Sequence, residues 1–510
     1  MDTALIALGP EQRRLVTRRK MYAMSDLTAP DYTIARFVIE RGLALVYLIA
    51  FVVAIRQFPA LCGERGLQPA PRLLSRARFL DAPSLFHWGY SDRRLAIVSW
   101  TGVAIALSLV VGLGQVAPLP VTMLAWFALW LLYQSIVNVG GTFYGFGWES
   151  LLLEAGFLAI FLGNAEVAPP WLMLIAFRWL AFRVEFGAGL IKLRGDRCWR
   201  DLTCMDFHHE TQPMPNPLSW FFHHLPRRLH RVEVLGNFVA QLILPFGLFL
   251  PQPIATIAAI LMIGTQLYLV ISGNYAWLNW LTILAAVAGI ADPVARAVLP
   301  FLPSPATGGG FAPTPLWFTV VVVAVAGLIV VLSWWPVRNM ASPRQAMNAS
   351  FNPFHIVNTY GAFGTVGRTR YELVIEGTSA TEPGAAAATW AEYEFKGKPG
   401  DPRRIPPQVA PYHLRLDWLL WFIPLSPSYG GEWFLRFLLR LLEGDAATLR
   451  LLRRNPFAAA PPRFIRVRMF HYRFSTVAER RATGAWWVRT PSSEYIPPLG
   501  LEHFVERGRR

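Results

Sequence analysis

The sequence predicts a polytopic α-helical membrane bundle of about nine spans, followed by a C-terminal α+β soluble domain. Three observations predict it. Of 510 residues, 54% are hydrophobic and 16% are charged, below the roughly 25% charged content of soluble domains. Nine apolar runs recur before residue 336, the longest of them suited to a hydrocarbon layer about 30 Å thick. After Trp335 the pattern changes to short alternating segments rich in β-branched and aromatic residues, which read as strands. The same figures exclude a disordered chain and a disulfide scaffold.

Residues 1–36 form a basic N-terminal segment carrying Arg13, Arg14, Arg18, Arg19 and Lys20. No short apolar stretch with a small-residue cleavage site follows directly, so no cleaved signal peptide is read. The net charge of +16 lies scattered over loops, which suits anionic lipid headgroups rather than nucleic acid. Membrane lipids are therefore expected partners and nucleic acid is not. Three cysteines, Cys62, Cys198 and Cys204, without a CxxC pair, leave no thiolate zinc site.

Residues 37–335 form the multi-pass domain. Its runs are Gly42–Ile55, Leu95–Leu113, Val121–Val137, Leu151–Leu162, Trp171–Leu193, Val232–Leu250, Ile254–Ile271, Tyr275–Ile290 and Leu316–Trp335. Leu151–Leu162 is short enough to be a tilted or re-entrant piece inside the bundle. Ser272-Gly273-Asn274 marks a tight turn, and the Pro- and Gly-rich stretch 300–315 a hinge before the last span.

Charges inside spans mark function or packing. Arg178, Glu185 and Lys192 are spaced by seven, so they share one face of a helix. The stripe is about 21 Å long and must face the bundle or a wet cavity. Arg183 lies in the same run, and Glu149 and Glu154 in the preceding block are the expected carboxylate partners. One reading is an internal ion-pair network that fixes helix register. Another makes Lys192 a desolvated amine acting as a catalytic base. A transport pathway or a headgroup site stays open as a third.

The structured loop 194–231 follows. It holds five of the ten histidines: His208, His209, His223, His224 and His230. Pro213, Pro215 and Pro217 stiffen its middle. Trp199, Arg200, Asp201, His208, His209, Glu210 and Asn216 form its candidate cluster. His208 and Glu210 with His223 or His224 would supply three metal ligands. Neither HExxH nor a thiolate pair accompanies them, so the loop reads as a cap held by its own hydrogen bonds, with no metal and no cofactor.

Residues 336–510 form the C-terminal domain. Strands are expected at His355–Phe363, Tyr371–Glu376, Trp390–Lys396, Phe464–Ser475 and Trp486–Arg489. Helices are expected at Tyr412–Phe422, Glu432–Leu442 and Ala446–Arg454. Asn358, Tyr360, Tyr412, Arg415, Asp417 and Trp418 either dock this domain on the bundle or face a client. No nucleophile elbow or phosphate loop is present.

Several long segments resemble the lipase maturation factor family: GFGWESLLLEAGFLAIFL (Gly145–Leu162), FRVEFGAGLIKLRGDRCWRDLTCMDFHHETQPMPNP (Phe182–Pro217), VISGNYAWLNWLT (Val270–Thr282), SFNPFHIVNTYGAFGTV (Ser350–Val366), YEFKGKPGDP (Tyr393–Pro402) and PYHLRLDWLLWF (Pro411–Phe422). The resemblance implies a multi-pass protein of the endoplasmic reticulum membrane, or of the inner membrane in a bacterial member. It also implies assistance to the folding of secreted lipases through a lumenal C-terminal region, without a cofactor. Gly397 stands where animal members of the family carry cysteine. A shorter likeness, GAGLIKL (Gly187–Leu193) with Trp199, is similar to the vitamin K-dependent carboxylase-like membrane superfamily and implies a base at Lys192. That enzyme remains the alternative function. The client and the oligomeric state are not set by the sequence.

Overall fold

A computed structural model describes residues 27–298, 300 and 310–508. The arginines and lysine of the N-terminal segment, and most of the 300–315 hinge, lie outside the described residues. In chain order the main helices are α1 (Pro30–Leu61, opening with a 3-10 turn), α2 (Asp92–Val111), α3 (Leu119–Val137), α4 (Gly147–Ala159), α5 (Trp171–Arg194), α6 (Met205–Thr211), α7 (Arg227–Phe238), α8 (Ile254–Ser272), α9 (Leu278–Val287) and α10 (Leu316–Ala341).

Among the described residues, five helices are long and apolar enough to cross a membrane: α1, α2, α3, α8 and α10. The expected count of about nine is not confirmed, and the difference lies in the other four runs. Leu151–Leu162 yields α4, only 13 residues long. The run in α5 has the length but carries Arg178, Arg183, Glu185 and Lys192. Val232–Leu250 breaks at a π-helical turn, Val239–Ile243, followed by Pro245. Tyr275–Ile290 leaves α9 with 10 residues.

Local chemistry fixes the ends. Ser91 Oγ accepts from the Arg94 amide to start α2, and Gly112 in the left-handed region stops it. The first amides of α1 are capped from a distance, Thr33 and Ile34 donating to the Asp292 carboxylate at 3.1 and 2.9 Å. α2 turns Leu95, Gly102 and Ala106 inward and leaves Ile97, Trp100 and Leu107 outside. α10 likewise exposes Trp317, Val320 and Val330. An apolar outer belt of that kind is stable against lipid rather than water.

The C-terminal region carries a four-stranded antiparallel sheet in the order β2-β1-β3-β4. Its strands are β1 (Arg370–Thr378), β2 (Ala391–Glu392), β3 (Phe464–Phe474) and β4 (Trp487–Leu499). Two helices, α11 (Arg415–Phe422) and α12 (Gly431–Leu442), pack beside it. Here too expectations shift. Residues 355–363 form no strand, because their polar groups bond to the bundle instead, with His355 and Phe363 at positive φ. The strand expected at Trp390–Lys396 shrinks to two residues, and the last helix to the single turn Ala446–Leu449. β4 is longer than expected. Its prolines, Pro491, Pro497 and Pro498, are tolerated because β4 is an edge strand.

The core is continuous. One apolar cluster runs from α1 residues such as Tyr47 and Phe51, through α4 and α5, to Leu416, Trp418, Phe437 and Ile465 of the C-terminal region. The 29 helical residues Thr33–Leu61 extend about 44 Å. Their first turn meets Asp292, whereas Gln57 near the other end donates to the His413 carbonyl at 2.7 Å. The start of α1 and the C-terminal region therefore lie at opposite ends of the bundle.

Candidate functional site

The functional surfaces meet at a seam between the bundle and the C-terminal region, and α4 supplies its two carboxylates. Glu149 and Arg415 are both fully buried, with Arg415 Nη1 at 2.7 Å from Glu149 Oε1. The Tyr133 hydroxyl also donates to Glu149. Arg415 donates to the Phe143 carbonyl at 2.7 Å and lies 3.5 Å from the Tyr144 ring centroid. Beside it, the Trp148 indole donates to His413 Nδ1 at 3.3 Å. Burial, and then the neighbouring Arg415 cation, push the His413 pKa down to about 4, so the ring is neutral and its nitrogen accepts.

Glu154 anchors the second cluster. It pairs with Arg183 and accepts from the Asn358 amide at 3.0 Å, the Asn358 side chain at 2.9 Å and the Tyr360 hydroxyl at 2.7 Å. Arg183 also donates to the Asn358 carbonyl at 2.6 Å. Close approach of the 358–366 segment depends on Gly187, where an added Cβ would stand 2.4 Å from the Tyr360 carbonyl oxygen.

The stripe along α5 is thus divided: Glu154 pairs with Arg183 of α5, which lies off the stripe, and Glu149 takes its cation from the C-terminal region. Arg178 donates to the carbonyls of Ala288 and Leu248, at 2.9 and 3.1 Å, and stacks on Trp171. Glu185 accepts from Gln266, whose amide oxygen accepts from Asn279. Lys192 Nζ donates to Asn237 Oδ1 at 2.9 Å and Gln241 Oε1 at 2.8 Å, and lies 5.0 Å from the Trp199 ring centroid. Two amide oxygens and an indole face thus surround its ammonium group. The amides Asn237, Gln241, Gln266 and Asn279 stand out in the sequence as polar residues in apolar runs, suited to interhelical hydrogen bonds; what the sequence did not show is that the first three partner the α5 charges.

The loop after α5 is wedged between bundle and sheet. Trp199 donates to the Phe363 carbonyl at 2.9 Å, while Arg200 is exposed and Asp201 pairs with Arg197 at the surface. Cys198 and Cys204 form a disulfide packed against Val366 of the C-terminal region. His208 shares a hydrogen bond with the Tyr275 hydroxyl at 3.0 Å. Glu210 accepts from the Phe474 amide at 2.6 Å, and burial raises its pKa. Burial and neighbouring rings hold His223 down at about 3. Asn216 Oδ1 accepts from the Leu218 and Ser219 amides. Arg370 of β1 donates to the carbonyls of Glu210, Gln212 and Pro213, tying the sheet to the loop. The loop holds together through its own bonds, but the ligand set His208, Glu210 and His223 or His224 is not assembled.

In the C-terminal region, Asn358, Tyr360, Arg415, Asp417 and Trp418 are all buried. Asp417 accepts from the Gly397 and Lys398 amides at 2.6 and 3.0 Å, and burial raises its pKa. Trp418 packs on Trp148, with centroids 4.8 Å apart. A Cβ on Gly397 would come within 2.7 Å of Met214 Sδ and 2.9 Å of Leu414, so a cysteine there needs those side chains to shift. Tyr412 is half-buried and lines a cleft of about 690 Å³ with Arg56, Lys396 and Arg450.

Two family models match the chain. The one described as lipase maturation factor transmembrane domain covers residues 34–297. The one described as lipase maturation factor C-terminal domain covers residues 356–497. The chain is 42% identical over 524 residues to lipase maturation factor 1 of Homo sapiens, covering 95% of this chain and 92% of that protein. It is 42% identical over 515 residues to lipase maturation factor 1 of Bos taurus, covering 93% and 91%. Against lipase maturation factor 2 of Xenopus laevis it is 27% identical over 604 residues, covering 92% and 83%. No solved structure matches.

Proposed function

Because this chain belongs to the lipase maturation factor family, we propose that it is a multi-pass membrane protein whose C-terminal region assists the folding of a lipase-like client in an exported compartment. The observation that carries the reading is the presence of both family regions in one chain, joined by the buried Glu149–Arg415 pair. A platform fixed to the membrane in this way holds one orientation toward a client on one side.

Chemistry on the C-terminal side supports an exported compartment. The Cys198–Cys204 bridge, with Cα atoms 4.8 Å apart, has the separation of a native disulfide and belongs in an oxidising space. It packs against Val366, so the C-terminal region shares that space. By family this is the endoplasmic reticulum lumen, or the periplasm in a bacterium. Lys192 acts in this reading as a packing cation that holds α5 against α7 and the π-helical turn, and no cofactor is required.

The test co-expresses the chain with a secreted lipase whose active yield depends on a maturation factor. The full chain raises secreted lipase activity, and charge-reversing substitutions on the exposed face of residues 336–510, with the Glu149–Arg415 pair intact, lower the gain. A gain that no such substitution changes would refute the role of the C-terminal region. A reporter fused after Arg510 that faces the cytosol would refute the orientation.

A further inference from the structure

The residues His209, His230 and Glu233 stand apart from the seam. His209 projects from α6, and His230 and Glu233 lie three apart on α7, hence on one face of that helix. One ligand atom from each of the three lies within 4.8 Å of the other two. His230 Nδ1 is 2.7 Å from Glu233 Oε2, and His209 Nε2 is 3.6 Å from Glu233 Oε1. The second separation is beyond a hydrogen bond. His209 is 1% exposed, and among the described residues neither of its ring nitrogens has a hydrogen-bond partner. A buried imidazole left in that state is destabilising. Glu233 is engaged by His230 through Oε2 and by the Tyr268 hydroxyl through Oε1, and a cation between the two rings would take a lone pair from each.

We propose that His209, His230 and Glu233 bind one divalent transition-metal ion, with Zn²⁺ the best fit to the donor set. Two imidazoles and a carboxylate are the ligands of three-residue zinc sites that keep a fourth position open. Imidazole nitrogen disfavours Mg²⁺ and Ca²⁺, which take oxygen. The outer shell is already in place. Tyr268 of α8 donates its hydroxyl to Glu233 Oε1, orienting the carboxylate as such partners do in metal sites. Binding replaces the His230–Glu233 hydrogen bond with two metal bonds and draws His209 in by a few tenths of an ångström. The ion then clamps α6 to α7, closing the loop over the bundle next to Tyr268. This goes beyond the maturation role, which does not depend on it.

The test uses the full chain, purified in detergent on an affinity tag free of histidine and stripped of metal by chelator. Titration with Co²⁺ should give the visible absorption of a tetrahedral site, saturating at one ion per chain, and Zn²⁺ should displace it. Glu233→Gln and His209→Asn should each weaken binding by at least about tenfold. Tyr268→Phe leaves the packing intact and should weaken it by about tenfold through the carboxylate alone. His223→Asn should leave binding unchanged. Size-exclusion profiles report whether each variant is folded. If Glu233→Gln fails to fold, the wild-type titration and Tyr268→Phe decide the question. Lack of stoichiometric binding by the wild type would overturn the proposal. So would a Co²⁺ spectrum that survives Glu233→Gln, or an affinity that Tyr268→Phe leaves untouched.

Discussion

Replacing Arg415 with methionine should undock the C-terminal region from the bundle. The substitution keeps most of the side-chain volume and removes the cation 2.7 Å from Glu149. Glu149 retains the Tyr133 hydroxyl, but its charge is then uncompensated in a fully buried position. Breaking a buried pair from one side costs about 3–5 kcal/mol. For a cooperative unit of 510 residues, an unfolding entropy of about 2.1 cal/mol/K per residue turns that into a Tm drop of about 3–5 °C. Adding Glu149→Leu removes the stranded carboxylate, so the double variant should recover at least half of the loss. The assay is thermal unfolding of the four proteins of the cycle in one detergent, with limited proteolysis after residue 335 as the readout of undocking. A single Arg415→Met variant within about 1 kcal/mol of wild type would refute the seam as a stabilising joint. Additive losses in the double variant would refute the pairing itself.

Three further outcomes follow. Tyr360→Phe deletes the hydroxyl that donates to Glu154 at 2.7 Å and should destabilise by about 1.5–3 kcal/mol, the range for a bond to a charged group; a neutral result in thermal unfolding would contradict it. Gly187→Ala places a Cβ 2.4 Å from the Tyr360 carbonyl and should destabilise by about 1–3 kcal/mol through overpacking, visible as faster proteolysis of the 342–369 segment. Acid should also loosen the fold through His355 and His413, each lowered to about 4, His355 by burial and His413 by burial and then Arg415. Asn138 faces His355, and Glu149 and Arg415 face His413. Their folded values lie below the unfolded value near 6.5, so the unfolded chain binds more protons between pH 6.5 and 4. Stability is full above about 6.5 and falls as pH drops, by about 3 kcal/mol for the pair at pH 5.5. A melting temperature unchanged between pH 7.5 and 5.5 would count against it.

The apolar runs were legible because hydropathy is a local property. Their number of spans was not, since Leu151–Leu162 and Tyr275–Ile290 are apolar for burial against protein, while Val232–Leu250 leaves Val232, Ile243 and Phe246 exposed but is broken by a π-helical turn, and such runs look alike in sequence. Docking residues such as Asn358, Tyr360 and Arg415 were visible as a cluster of unusual polar and aromatic positions. Their partners were only partly so: Glu154 pairs with Arg183 of the charged run, as the sequence offered, whereas the helical spacing of Arg178, Glu185 and Lys192 gives no sign that Glu149 reaches across to Arg415. The strand expected at 355–363 failed for a related reason. Its alternation is that of a strap laid over α4 and α5, where the Asn358 amide bonds to Glu154, the Asn358 carbonyl accepts from Arg183 and a single bridge to Ser350 is all the strand pairing it makes. β4 was cut short by its prolines, which a period-2 pattern treats as breaks.

The arrangement of charges argues that bundle and C-terminal region fold as one unit. Both seam carboxylates sit on α4, a helix of 13 residues within the bundle, and both are at most 1% exposed. Glu149 takes its cation from the C-terminal region. Glu154 takes its cation from α5 and three of its hydrogen bonds from the 358–360 strap. Both carboxylates are closed off from solvent, so separating the two parts leaves Glu149 without its cation. On the other side, it bares Arg415, His413 and the Trp418 face. An isolated 336–510 fragment would therefore present to a client a surface that the whole protein buries, and capture on such a fragment would report the seam rather than the working face. The client-binding surface must lie among residues that stay exposed when Glu149 and Arg415 are paired, and only the intact chain can be used to find it.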